Sequence, residues 1–600
     1  MRRLLLILSV ALLAWAAVVY ASGGIQWRIA GVWFRSRDPD RVLLLVYVLV
    51  LLQALLYRHE FARDIDRVAA FVRERAAWFA AVLAIVLAIH GLRFGSFTAG
   101  GADAYGYVSQ AFGWASGHLP RAYDLPLRLP FPSSDLMQTP LGYRVGPEPH
   151  TMVPTYAPGL PLIMAGAILV TGAIGPYLVV PAFAALYLWC TFLLGRRAGG
   201  PGVGLSAALL VATSPVVLYQ SLWPMSDVPA GALWTAAGVA ALGGSRRSAV
   251  LSGVCAAVGL LIRPNLPLLV LVPSGAIVLH ARGRERLARA ALFCVPILPV
   301  VLTVAVLNAA WYGSPLASGY GRAADLYSLE SVWPNLQRYS VWLWESQSPW
   351  ILAAAGSLIA AVRPSTERPA VWMAWALFTV TVLSYLTYYY FEAWWYLRFL
   401  LPGLGAFFVL VALGLTRMCG WIPQPWGRLA LIVILFLMVR HTLGYAIGER
   451  MFGPLKQGEH RYADVGEFIG RALPDNAAVF AMQHSGTVRF YGGRLTLRYD
   501  FLDPDSTGRA PAELERLGLH PYLAIDDWEV PYVQTQFRFP ADRPLPWPQV
   551  ARMRELGGVT VYDLATAGAA ASPVALEPGL APLFMAPQPI VLQPHVDNGR

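Results

Sequence analysis

The sequence predicts a polytopic α-helical membrane protein with a small C-terminal α/β domain outside the cytoplasm. Three observations lead there. Of 600 residues, 56% are hydrophobic and only 14% charged, and the mean hydropathy is +0.51, far from the balance of a soluble globular chain. Apolar runs long enough to cross a bilayer recur as far as Tyr445, about thirteen in all. After Gly448 the composition becomes that of a soluble domain, with 479–482, 522–525 and 559–562 reading as short strands.

From the N-terminus, Arg2-Arg3 and the apolar run 4–19 read either as a cleaved signal peptide or as a retained first helix, and both leave Ser22 outside. Residues 1–77 form extra helices and a basic loop ahead of a transmembrane core, 78–447. The net charge of +11 and the pI near 9.5 invite a nucleic-acid reading, but the location of the charge excludes it. The arginines of 58–75, Arg196-Arg197, Arg246-Arg247, 282–289, 363–368 and Arg417 all fall between apolar runs, and by the positive-inside rule they share the cytoplasmic face. Parity then requires one run not to span. The segment 156–171, with Pro158, Gly159 and Pro161, is expected to be re-entrant or surface-lying.

That topology places on the outer side the long loop 95–155, the turn at Pro224 to Asp227, the loop 308–350, the aromatic stretch 390–396, and the domain 448–564. In that domain 461–473 has helical periodicity and ends at Leu473-Pro474. The Ala/Pro-rich tail 565–600 is expected to be disordered. Cys190, Cys255, Cys294 and Cys419 show no CxxC spacing and support neither a disulfide framework nor a zinc site. The glycines of 199–204 follow no strand and lie in a cytoplasmic turn, so no Rossmann or P-loop nucleotide site is visible. His484-Ser485 lacks a GxSxG elbow.

The chemistry-bearing candidates lie at outer helix ends. Asp103, in Gly100-Gly101-Ala102-Asp103-Ala104-Tyr105-Gly106-Tyr107, is either an N-cap for a helix to about Ala115 or a general base flanked by Tyr105 and Tyr107 under a foldable loop. Asp227 offers the same two readings, a helix start before Pro229 or a supporting carboxylate on the same rim. Arg398 sits beneath the aromatic residues 388–390 and 394–396, either snorkelling to lipid headgroups or binding a lipid-linked phosphate bidentately. Arg263 closes an outer helix end in the same way, and Arg144, His150 and Tyr156 are candidates to contact substrate from the long loop.

Together these stretches resemble the GT-C fold glycosyltransferases of the protein mannosyltransferase and aminoarabinose transferase type, glycosyltransferase family 39-like. The resemblance rests on Asp103-Ala104-Tyr105, Tyr156-Ala157-Pro158-Gly159, Gly195-Arg196-Arg197, Ser214-Pro215 through Asp227, Tyr312-Gly313-Ser314-Pro315, and Tyr396-Leu397-Arg398 to Pro402. It covers roughly 78–445. It implies a bacterial inner-membrane enzyme that moves a hexosyl or pentosyl group from a polyprenyl-phosphate donor to an extracytoplasmic lipid, glycan or protein acceptor. It also implies Asp103 as base, Asp227 as the second acidic position and Arg398 on the carrier phosphate. Family members often pair two acids in the first loop, whereas this chain has Ala102-Asp103-Ala104, which leaves a divalent metal open and assigns no metal ligand. The alternative is a flippase for polyprenyl-linked glycolipids, for which internal repeats and mid-helix acids are expected and not found.

Overall fold

The computed structural model describes residues 2–22, 25–29, 32–36, 38–123, 129–362, 365–553, 558–565 and 574–575, and it divides into two compact units. The first comprises 1–76 and 415–436. Its helices Arg2–Ser22 and Pro39–Leu56 pack on each other, joined by a buried bond of 2.9 Å from Gln53 Nε2 to Ser9 Oγ, as expected where a polar side chain has no water to turn to. Between them lies an antiparallel hairpin of Ile25–Ile29 and Val32–Ser36. The amphipathic helix Arg58–Glu74 turns away from the preceding helix by 118°.

The second unit, 77–414 with 437–600, holds most of the chain. Among the described residues of the two units together, six helical stretches are long and apolar enough to cross a bilayer, or seven if the bent pair counts as one span. The sequence offers more apolar runs than this because several fold as helices of 17 residues or fewer, including Asp227–Ala241 and Arg246–Ile262. The stretch 159–213 alone holds three such runs. Its first part, Gly159–Thr171, expected to be re-entrant or surface-lying, is a helix packed between Asp103–Ser116 and Gly175–Thr213. Pro158 sits just before its first turn and Pro161 within it, where a missing N–H costs nothing. The helix Gly175–Thr213 is in fact two, broken at Gly200, whose φ of +86° turns the chain back beside Arg196-Arg197.

The residues after Gly448 belong to this same unit. A helix, Pro454–Ala472, begins seven residues earlier than its periodicity predicts. A six-stranded sheet follows, in the order Val574–Ala575, Gln549–Met553, Val559–Asp563, His520–Asp526, Ala477–Phe480, Leu495–Leu497. The three expected strands are its centre, while Gln549–Met553 and Leu495–Leu497 are not legible in the sequence. Of the tail, only Ala565 and the short strand Val574–Ala575 lie within the described residues.

The long loop before Tyr156 is folded. Arg121–Ala122, Thr151–Pro154 and Tyr143–Val145 form a three-stranded antiparallel sheet, and Ser134–Gln138 is a short helix. Its Leu129, Phe131 and Met137 share one apolar core with Phe480, Leu497 and Leu523 of the C-terminal sheet. Tyr105 is buried in a second core with Tyr143, Phe490 and Tyr491.

Candidate active site

Two antiparallel helices bring the first charged pair together. Asp227 is the first residue of Asp227–Ala241, and Arg263 follows the last residue of Arg246–Ile262, so both lie at one end while Arg246-Arg247 lie at the other. Asp227 Oδ1 accepts a bond of 2.5 Å from Arg263 Nη2, with the carboxylate only 1% exposed. Arg263 also donates to Ser226 Oγ at 3.1 Å and to the Tyr385 hydroxyl at 3.0 Å, and Tyr107 donates to the same Ser226 oxygen at 2.9 Å. A buried guanidinium with this many acceptors is held as an ion.

Asp103 is the first residue of Asp103–Ser116, and the capping position before it, Ala102, has no side-chain cap. The carboxylate does not cap either. Its Oδ1 accepts from the Tyr156 hydroxyl at 2.6 Å and its Oδ2 from Arg398 Nη1 at 3.0 Å. Gly106, one turn on, makes this geometry possible. A Cβ there would lie 2.1 Å from the Tyr156 ring.

Arg398 joins the two acids. It lies in the 3₁₀ turn Trp394–Leu400, its side chain 15% exposed and flanked by the Tyr396 and Phe399 rings at 5.0 and 5.5 Å. While Nη1 holds Asp103, its buried Nε lies 4.0 Å from Asp227 Oδ1 and has no hydrogen-bond partner among the described residues. Lipid snorkelling does not describe an arginine so placed.

All of these groups line one cavity of about 1180 Å³. One part of the lining is apolar, from Val300, Val301 and Val304 of the helix Ile297–Tyr312 together with Leu268 and Leu383. The other is aromatic and polar, with Tyr320, Tyr388, Trp395 and Tyr396. Burial drives the hydroxyls of Tyr107, Tyr156 and Tyr320 well above the ordinary tyrosine range, with Asp103 adding to the shift in each, so all three are neutral donors. The C-terminal domain reaches the same cavity through Glu459, Tyr462 and Gln483. Burial pushes the Glu459 carboxyl up, opposed by Arg461, whose Nη1 lies 3.3 Å from it.

Of the residues expected from sequence, the structure therefore gathers Asp103, Asp227, Arg398, Arg263, Tyr107 and Tyr156. It does not bring in three others. Tyr105 is buried against Gly486 and Phe490, Arg144 is exposed on the strand Tyr143–Val145, and His150 is exposed at a loop position with φ of +58°. Sequence reasoning missed Ser226, Asn265, Tyr320, Tyr385 and Glu459. Asn265 lies two residues beyond Arg263 and donates to Tyr385 at 3.1 Å, a proximity its string Ile262-Arg263-Pro264-Asn265 hints at. Ser226 directly precedes Asp227, whereas Tyr320, Tyr385 and Glu459 meet the site only through long-range folding.

A divalent ion does not fit this donor set well. Both Asp103 oxygens and one of Asp227 are already bonded, two of them to guanidinium, and no group of three or more His, Cys, Asp or Glu is clustered for a metal among the described residues.

No family model matches the sequence, and no curated protein does. Solved structures do. ArnT from Cupriavidus metallidurans bound to undecaprenyl phosphate superimposes with a TM-score of 0.50 at 15% identity, over 82% of this chain and 98% of that one. The Archaeoglobus fulgidus oligosaccharyltransferase in the apo form gives 0.45 at 12% over 76% and 71%, and arabinofuranosyltransferase AftD from Mycobacteria 0.49 at 14% over 81% and 40%. At such identities the likeness is one of fold, and the fold of this chain is the GT-C fold of a polytopic membrane protein.

Proposed function

We propose that the chain is a membrane glycosyltransferase that takes a sugar from a polyprenyl-phosphate carrier and passes it to an acceptor on the face bearing the C-terminal domain. The observation that carries this reading is Arg398, held between Asp103 and Asp227 in a cavity whose lining is part apolar and part polar. Transfer needs a base for the acceptor hydroxyl and positive charge for the departing phosphate. The acceptor oxygen bonds to the anomeric carbon as the bond from that carbon to the phosphate oxygen breaks. The phosphate keeps the electron pair, and Asp103 takes the hydroxyl proton.

The resting ion pair gives the order of events. An arriving phosphate competes with Asp103 for the Arg398 guanidinium, and its charge makes it the stronger partner. Donor binding thereby frees Asp103 as a base beside Tyr156. Asp227 stays on Arg263 and fixes the Arg398 head from behind. The valine wall of Ile297–Tyr312 suits the carrier's hydrocarbon chain. The fold likeness to ArnT, whose structure holds undecaprenyl phosphate, supports this class of donor.

Orientation follows the positive-inside rule, with the arginine clusters cytoplasmic and the site extracytoplasmic in a bacterial inner membrane. The helix Asp227–Ala241, 15 residues or about 22 Å, is shorter than a hydrocarbon core of about 30 Å, so its carboxylate is recessed to where a lipid phosphate can reach it. The test is sugar release from labelled polyprenyl-phosphate donors by protein in liposomes, with envelope extract as acceptor. Turnover that vanishes in Asp103→Asn supports the reading. Absence of turnover with every donor overturns it in favour of a flippase.

A further inference from the structure

We propose that the C-terminal domain supplies the subsite that reads the donor's sugar ring, formed by Glu459, Gln483 and Tyr462 opposite the aromatic faces of Tyr219 and Trp395. This rests on the lipid-linked transfer proposed above and names where the sugar of that donor sits. All five side chains line the cavity that holds Arg398.

Three polar groups there lack a full set of partners. One Glu459 oxygen is engaged by Arg461, and the second has no hydrogen-bond partner among the described residues. The Gln483 side-chain amide makes no hydrogen bond within the described chain, although its backbone N–H donates to Glu529. The Tyr462 hydroxyl accepts from Arg461 Nη2 at 3.0 Å, which leaves its proton to donate. An acceptor, an amide and a hydroxyl donor side by side suit the mixed hydroxyls of a sugar ring. Trp395 lines the cavity 38% exposed and stacks on Tyr219 at 6.2 Å, which backs the flat apolar face that a ring's C–H face packs against.

The distance to the phosphate end is short. Arg398 lies one turn along from Trp395 in the 3₁₀ turn Trp394–Leu400, and both line the same cavity as Tyr219 and Glu459. A sugar bonded to a phosphate on Arg398 therefore falls between Arg398 and Glu459. The carboxylate is also built in place. Arg461 Nε bonds the buried Asp526 at 3.0 Å, His484 lies 3.5 Å from the same oxygen, and Glu529 accepts the Asp526 N–H at 2.9 Å. Tyr462 in turn packs against Gly100, where a Cβ would lie 2.5 Å from its ring, three residues ahead of Asp103.

The experiment measures binding of bare undecaprenyl phosphate and of the same carrier bearing a neutral hexose, a neutral pentose or an amino sugar. The proteins are full-length wild type, Glu459→Gln, Gln483→Ala and Arg398→Ala in nanodiscs. At least one glycosylated carrier is expected to bind more tightly than the bare one. Each C-terminal variant should then lose about tenfold of that preference while binding bare carrier as wild type does. A preference unchanged in both variants, or no preference for any sugar, overturns the subsite and leaves the transfer reading intact. Bare carrier that fails to bind wild type, or binds Arg398→Ala equally well, overturns the transfer reading itself and the subsite with it.

Discussion

Asp103 and Asp227 begin helices in the same way and each bonds an arginine, but their surroundings differ. Asp227 is sealed in, and its loss would strand Arg263 as a buried charge. Asp227→Ala is therefore expected to cost about 3–5 kcal/mol of stability, read as a fall in melting temperature in detergent. Asp103 is 33% exposed in the cavity that both acids line, so Asp103→Asn should leave melting nearly unchanged while turnover drops about 10²–10⁴-fold. Matching melting losses in the two variants would erase this division. Arg398→Lys should keep more turnover than Arg398→Ala, since lysine supplies charge without the fork that reaches both acids. In the C-terminal domain, burial works against charge on Asp526, but His484 and Arg461 outweigh it and hold the carboxyl down at about 2. Its folded pKa lies below the ordinary 3.8, so the stability it contributes is present above about pH 4 and is lost as pH falls towards 2. That contribution is about 2 kcal/mol, and Asp526→Asn should remove it at pH 7 and flatten the acid limb of the unfolding curve.

At the level of elements, the site depends on how closely the helix Asp103–Ser116 can approach Tyr156. Gly106→Ala places a methyl where the Tyr156 ring now lies, so either the ring or the helix must move. Turnover should fall at least tenfold with a stability loss of about 1–3 kcal/mol. A variant with wild-type turnover and melting would show that the Tyr156 bond to Asp103 is dispensable. The glycine and its neighbours were legible as a motif because a carboxylate among tyrosines at a helix start is unusual. What Gly106 accommodates was not legible, because Tyr156 is fifty residues away in sequence. The same distinction divides the strands. Val559–Asp563 announces itself by the β-branched and aromatic run Val559-Thr560-Val561-Tyr562 and His520–Asp526 by its apolar centre Tyr522-Leu523-Ala524-Ile525, while Leu495–Leu497 is three residues long and exists only by pairing with Ala477–Phe480. In 156–171 proline marks a helix start, which the prolines alone did not make legible.

Across the whole second unit, composition separates a membrane core from a C-terminal domain, but packing joins them through the loop before Tyr156. The Ala99 N–H donates to the Tyr491 hydroxyl at 2.8 Å and the Leu141 N–H to Ser485 Oγ at 3.1 Å, so the chain on both sides of Asp103 is tied to the C-terminal domain. The Arg498 N–H donates to the Met137 carbonyl at 2.7 Å, and Phe131 and Met137 sit in that domain's own core. Removal of residues from 448 onward would leave these apolar side chains in water and the Ala99 and Leu141 N–H groups and the Met137 carbonyl without partners. The spanning helices satisfy their own backbones and should still insert. The truncated protein is thus expected to reach the membrane, to expose 95–155 to limited proteolysis, and to lose transfer altogether. Gly486→Val tests the same coupling with the domain present, because a Cβ at 486 would already lie 2.2 Å from the Tyr105 ring. Protection of 95–155 equal to wild type in both proteins, with turnover intact, would mean that the membrane core positions Asp103 unaided.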